Sequence, residues 1–190
     1  VTHRDLPGLF QVLTDADLVR QSLAGRTDAF AELVDRHYDR CLRYAARLLG
    51  NREDAEEACQ DAFVRAYRAL SDYSESDRFG AWLYRILVNR CRSLAVRRRG
   101  SLEDPTENEV LALHPHAASH DVAELLGLRE ELARAIAQLE LEQREAFVLK
   151  HVDDLSYDEI SVITGVGVSA LKMRVKRACD RLRDLLTDMP

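Results

Sequence analysis

Between Arg85 and Arg99 the chain carries six arginines, at 85, 90, 92, 97, 98 and 99, and no acid. Guanidinium groups are planar, permanently charged and fork-shaped, which suits them to gripping phosphate through paired hydrogen bonds. Asn89 lies among them, and its amide offers a donor and an acceptor together, the pattern that can satisfy a base edge. Arg85, Asn89 and Arg92 are spaced four and three apart, so a helix places them on one face. Arg97, Arg98 and Arg99 continue the run as candidate phosphate contacts, which would make binding fall steeply with salt. A second cationic run, Lys172, Arg174, Lys176, Arg177, Arg181 and Arg183, is opposed only by Asp180. Both runs suit a polyanion whose backbone is held by charge and whose bases are read at a few positions.

Catalysis has no comparable support. No nucleophile with a base, glycine-rich phosphate loop or metal quartet is present, so neither an enzyme nor a cofactor is expected. Cys41, Cys59, Cys91 and Cys179 are too widely spaced for a C-x-x-C pair and read as buried thiols in a reducing compartment. His114, His116 and His120 have no helix to align them and no companion cysteine, so no metal site is expected there.

The 190 residues carry a net charge of -6, which argues against nucleic acid only if charge is spread evenly. It is not, because residues 101 to 122 hold five acids and no Lys or Arg. Two basic surfaces therefore flank an acidic tether. No apolar run approaches the roughly 20 residues of a membrane span, and the first residues do not resemble a signal peptide. Cytoplasmic location without membrane insertion is the expectation.

These cations need helices to present them, and no period-2 strand competes. Thr14 is expected to cap a short helix ending at Gly25, and Thr27 a longer one ending at Gly50. Asn51 opens a third, with Ala55, Ala58, Ala62, Phe63, Ala66, Tyr67 and Leu70 inward and Asp54, Glu57, Gln60 and Asp61 near or on its outer side. A fourth runs from about Arg78 to Arg98, with Phe79, Trp82, Leu83, Ile86 and Leu87 buried; Trp82 is in phase with that stripe and reads as core.

Beyond the tether, Val122, Leu125, Leu126, Leu132, Ile136 and Leu139 mark one helix, and Ala146, Phe147, Leu149 and Val152 another. Ser156-Tyr157-Asp158-Glu159 is a capping box, Gly165 a left-handed stop, and a basic helix begins near Gly167 or Val168 with Leu171, Val175 and Leu182 inward. A short helix, a glycine turn and a longer basic helix make a helix-turn-helix, whose second helix enters the major groove of DNA. The fold expected is all-α. Two small helical domains, 14–100 and 122–188, are joined by a flexible acidic linker, 101–121, and the second contains the helix-turn-helix.

With both modules in place, the chain resembles the bacterial extracytoplasmic-function sigma factors, the smallest members of the principal sigma family, over about residues 14 to 188. Three stretches carry the resemblance. Residues 54 to 67, DAEEACQDAFVRAY, are similar to the helix that grips the clamp of core RNA polymerase. Residues 79 to 90, FGAWLYRILVNR, followed by Arg97-Arg98-Arg99, resemble the helix for the minus-ten promoter element. Leu155 to Ile160 through Lys172 to Ala178 resemble the minus-thirty-five reader. Ser93 stands where an aspartate is common, Gly167 replaces the usual serine cap, and Ala170 and Met173 replace threonine and serine, which implies atypical base preferences. Glu140 occupies the place of a proline that commonly opens the preceding helix.

The resemblance implies a sigma factor directing core polymerase to specific promoters and assisting their melting, without chemistry of its own. Arg85, Asn89, Arg92, Arg97, Arg98 and Arg99 would then serve the minus-ten element. Ser169, Ala170, Lys172, Met173, Arg174, Lys176 and Arg177 would serve the minus-thirty-five element, and Asp54, Glu57, Gln60 and Asp61 would contact polymerase. An anti-sigma factor is the further partner implied. The segment from Ser71 to Asp77 reads equally as the border of a pocket for a flipped base or as a plain connector. A stand-alone helix-turn-helix regulator, dimeric on palindromic DNA, is the competing class.

Overall fold

A computed structural model describes residues 13–74, 78–100 and 120–187, with backbone alone for 99–100 and 120–126. Among the described residues every regular element is helical. The first four helices, α1 (Asp15–Leu23), α2 (Thr27–Leu49), α3 (Arg52–Arg68) and α4 (Phe79–Gly100), form one body. The other four, α5 (His120–Ala137), α6 (Leu141–Phe147), α7 (Tyr157–Thr164) and α8 (Val168–Thr187), form a second.

Local signals place the boundaries. The Thr14 hydroxyl accepts from the Asp17 amide, and the Asp17 carboxylate accepts from the Thr14 amide, a reciprocal cap that starts α1. Gly50 ends α2 at φ +83°, a conformation a side chain would strain, and Asn51 caps α3 by accepting from Asp54. Thr27 differs from expectation. It is the first helical residue, the cap position belongs to Arg26, and no side chain caps it.

The α3 face that meets α2 and α4 is lined by Ala55, Ala58, Cys59, Ala62 and Ala66, all essentially buried, and such small side chains allow close helix approach. On α4, Leu83, Leu87, Cys91 and Leu94 repeat at helical spacing and are likewise buried. Phe79, Tyr73 and Trp82 close one end of this core, with Trp82 only 8% exposed. Tyr67, expected inward, is 48% exposed and touches Phe30 edge-on. Leu132 and Val152, expected inward, are also exposed.

In the second body α8 is the centre, packing on α5, α6 and α7 through Leu171, Val175, Ala178 and Leu182. Helix α6 starts at Leu141 after Glu140 and passes into one π-type turn, Val148–Val152. The capping box forms as expected: Ser156 Oγ accepts from the Glu159 amide, and Glu159 accepts from the Ser156 amide at 2.9 Å. Gly165, at φ +71°, turns the chain into α8.

The Ser156 hydrogen bonds hold the Glu159 carboxyl below its usual range. The stabilisation tied to that carboxylate is therefore complete above the ordinary Glu range and fades as pH falls through the depressed pKa. Ser156→Ala is expected to cost the helix-turn-helix about 1 kcal/mol in urea unfolding at neutral pH. That difference should shrink in acid.

Burial pushes up the thiols of Cys41, Cys59 and Cys91, that of Cys59 to about 12, so all three stay neutral and unreactive. Cys179 is half-buried, 3.9 Å from His151 Nε2. An aromatic disulfide reagent should titrate Cys179 alone in the native protein and all four cysteines after denaturation. Rapid native reaction of Cys41, Cys59 or Cys91 would contradict this burial.

Candidate nucleic-acid interface

The buried stripe of α4 fixes which of its cations face outward. Arg85 and Asn89 are exposed one turn apart, with the Ser93 hydroxyl, another turn on, returned to the Asn89 carbonyl at 2.9 Å. Arg92, expected beside them, is turned the other way. Its Nε and Nη2 donate to the two carboxylate oxygens of Glu145 at 2.7 and 2.6 Å, and its Nη1 donates to the Thr164 carbonyl at 3.2 Å. Glu145 lies in the second body at 2% exposure. A bidentate pair with a buried carboxylate occupies the guanidinium fully, so Arg92 does not belong to the open face of Arg85 and Asn89.

The remaining arginines are matched by acids of α3. Arg98 Nε sits 2.7 Å from Asp54 Oδ2, and Asp54 is itself buried rather than on the outer side expected for it. Asp54 and Asn51 are paired reciprocally at the start of the helix: Asn51 Nδ2 donates to Asp54 Oδ2 at 2.9 Å, and the Asp54 amide donates to Asn51 Oδ1 at 2.8 Å. Arg97 reaches Glu57 at 3.3 Å, and Arg90 bridges Glu57 at 2.9 Å and Asp61 at 2.7 Å. Asp61 also accepts from Arg65 at 2.8 Å. Much of the cationic run thus neutralises the acidic helix behind it. Arg97 and Arg98 stay more than half exposed and can exchange these partners for phosphate. The side chain of Arg99 lies outside the described residues.

Of the α3 residues expected to contact polymerase, Glu57 and Gln60 are exposed, and Val64 and Tyr67, 46% and 48% exposed, join them on the helix surface. Gln60, Val64 and Tyr67 are spaced four and three apart and form one flank. The sequence reading missed the two apolar members. Their exposure depends on α3 having an alanine face narrow enough to leave its large side chains outside.

The helix-turn-helix presents Ser169, Ala170, Lys172 and Met173 in the first turns of α8, all exposed, with Lys176 and Arg177 exposed beyond them. Arg174 differs. It lies 2.6 Å from Glu142 of α6 and is 24% exposed, so it braces the second body and is not free. Lys172 and Lys150 both approach the Tyr157 ring, at 5.7 and 5.4 Å. Among the described residues no group of His, Cys, Asp and Glu is arranged to hold a metal ion; His114 and His116 lie outside them, as does the side chain of His120. Residues 75–77 of the Ser71–Asp77 segment likewise lie outside the described residues. Among the described residues no helix is long and apolar enough to cross a membrane.

Comparison with known proteins places this arrangement. The sequence model of sigma-70 region 2 matches residues 33–101, and that of sigma-70 region 4 matches residues 129–182. The chain is 30% identical over 179 residues to the ECF RNA polymerase sigma factor SigW of Bacillus subtilis, covering 90% of this chain and 96% of that protein. It is 33% identical over 174 residues to the ECF RNA polymerase sigma-E factor of Escherichia coli, covering 87% and 91%. Its fold is similar to that of CnrH, solved in complex with the cytosolic domain of CnrY, with TM-score 0.67, 30% identity and coverage of 92% and 99%. It is also similar to the sigma factor RpoE of Bartonella quintana in complex with the anti-sigma factor NepR, with TM-score 0.66, 25% identity and coverage of 85% and 98%. With region 2 falling on α2 to α4, region 4 on α5 to α8, and relatives of this identity matched over nearly their whole length, the chain belongs to the extracytoplasmic-function sigma factors of RNA polymerase.

Proposed function

We propose that residues 14–100 engage core RNA polymerase and the minus-ten element, that 101–121 tether the modules, and that 122–188 read the minus-thirty-five element. The observation that carries this reading is the set of exposed first turns of α8, projected off the Gly165 turn with their back side buried. That is how a helix-turn-helix offers side chains to the major groove. On α4, Arg85 and Asn89 supply base and phosphate contacts, with Arg97, Arg98 and Arg99 on phosphate. On α3, Glu57, Gln60 and Asp61 face polymerase, Val64 and Tyr67 add apolar area, and Asp54 acts by anchoring the helix start. The protein works in the cytoplasm as a dissociable specificity subunit with no reaction of its own. An anti-sigma protein is its regulator, a reading supported by the similar RpoE structure having been solved with one.

The test is to mix the purified chain with core polymerase and follow co-elution and transcription from a candidate promoter. Stable association with promoter-dependent initiation is expected. A dimer that binds palindromic duplex tightly and ignores core polymerase would instead establish a stand-alone regulator.

The α8 surface also sets a ranking of substitutions. Ala170 and Met173 offer apolar contact of the kind a thymine methyl accepts. Met173→Ala is therefore expected to alter preference at one base pair, a cost of about 1 to 3 kcal/mol at that position only. Lys176→Ala should weaken all duplexes alike and lower the salt dependence. Arg174→Ala should weaken DNA binding less than Lys176→Ala, because Glu142 already holds the guanidinium. Competition binding over single-base variants checks all three.

A further inference from the structure

Helix α2 carries Arg36, Arg40, Arg43 and Arg47, spaced four, three and four apart, so they form one row along the helix. Their partners differ. Arg36 is matched twice, by Asp15 at 3.2 Å and by Glu32 at 3.0 Å. The next three are not. Arg40 donates to the Asp153 carbonyl at 3.5 Å and lies over the Tyr84 ring, 4.9 Å from its centroid. Arg47 donates to the Arg43 carbonyl, one turn back on its own helix, at 3.4 Å. Among the described residues no carboxylate pairs with Arg40, Arg43 or Arg47 at ion-pair distance.

Arg40 and Arg43 are exposed, but Arg47 is half-buried, and a cation in that position is ordinarily matched by an acid. Burial pulls the Arg47 guanidinium below its usual value, and the facing Asp153 offsets this only in part. Asp153 faces all three arginines, yet burial pushes its own carboxyl up in spite of them. Its Oδ2 also accepts from the Tyr84 hydroxyl at 3.1 Å. Three guanidinium groups therefore share one carboxyl whose ionised form is disfavoured.

We propose that Arg40, Arg43 and Arg47 form a binding site for a diphosphate group. Two features set this ligand class. The row spans about 10 Å of helix, longer than one phosphate, so linked phosphates can engage all three guanidinium groups. Against the single acid Asp153 the row also keeps an excess of positive charge, which a diphosphate can neutralise and a lone carboxylate cannot. Guanidinium forks grip phosphate oxygens in pairs, and the Tyr84 ring beneath Arg40 holds one fork in place. The three arginines and Tyr84 all belong to the first body, so the row exists whatever the second body contacts.

The experiment is isothermal titration calorimetry of the full chain with inorganic pyrophosphate at fixed ionic strength. Saturable binding at a single site is expected, tighter than that of orthophosphate or sulfate. Arg43→Gln and Arg47→Gln should each weaken it about tenfold. Arg181→Gln, which removes the same charge from the exposed surface of α8, should leave it unchanged. Arg43 is exposed, so Arg43→Gln decides the matter if Arg47→Gln proves unstable. Absence of saturable binding, or equal losses in Arg43→Gln and Arg181→Gln, overturns the site. Two competitors then distinguish the source of the phosphates. Adenosine diphosphate that displaces pyrophosphate, and binds more weakly to Arg43→Gln, assigns a free nucleotide. A short single-stranded DNA that does the same assigns the phosphates of a strand. Failure of both to compete overturns the diphosphate group as what the arginines recognise.

Discussion

Trp82→Ala is expected to destabilise the first body by about 3 to 5 kcal/mol, the largest effect of any single substitution considered. Trp82 opens the buried stripe of α4 and is 8% exposed, its ring 5.4 Å from Tyr73 and 5.8 Å from Phe79. Phe79 in turn lies 5.3 Å from His37, which contacts Asp15 at 2.8 Å and so ties α1 into the same cluster. Removing the indole leaves a cavity beside Tyr73 and Phe79. Trp82→Phe keeps most of the contact and should lose much less. Urea unfolding followed by far-ultraviolet circular dichroism measures both, because the protein's single tryptophan is lost in each variant. A Trp82→Ala protein of wild-type stability that fails only in promoter opening would instead identify Trp82 as a wedge between bases.

Asn89→Ala is the second substitution with a large expected effect, and it acts on function alone. Asn89 is exposed on α4. Its removal should change folding stability by no more than about 0.5 kcal/mol. Loss of a bidentate base contact is worth about 1 to 3 kcal/mol, so single-round transcription at a recognised promoter should fall by a factor of roughly 5 to 150. The loss should vary with the base at one position. Arg85→Ala, on the same face, should give a loss that salt modulates and sequence does not, if its partner is phosphate. Equal transcription by Asn89→Ala and wild type would remove α4 from base reading.

What the sequence made readable here was local. The Ser156–Glu159 box, the left-handed Gly165 and Gly50, and the Asn51 cap each depend on residues within one helical turn, so type and spacing suffice to find them. The Trp82 stripe was readable for the same reason, through periodicity. The pairing of Arg92 is not legible in the sequence, because its partner Glu145 lies 53 residues away in another body, beyond the reach of helical phase. Nothing local marks Glu142 as the partner of Arg174. Asp54 was placed outward by residue type, whereas an N-terminal cap and the Arg98 ion pair make its burial tolerable. Charge clusters in a sequence thus show where cations are dense. They do not show which ones the fold has already matched.

Asp153 is a smaller instance of the same lesson. Burial between the bodies pushes its carboxyl up, against the opposing pull of Arg40, the Tyr84 hydroxyl, Arg47 and Arg43. Nothing in its own segment signals this.

Footprinting on a promoter that the chain and core polymerase transcribe together most directly tests whether one polypeptide reads two separated elements with two modules. Protection is expected as two patches that require core polymerase. Lys176→Ala should weaken the upstream patch and Asn89→Ala the downstream one, each leaving the other in place. A single symmetric patch made by the chain without polymerase, or loss of both patches from either substitution alone, would contradict the division of labour between α4 and α8.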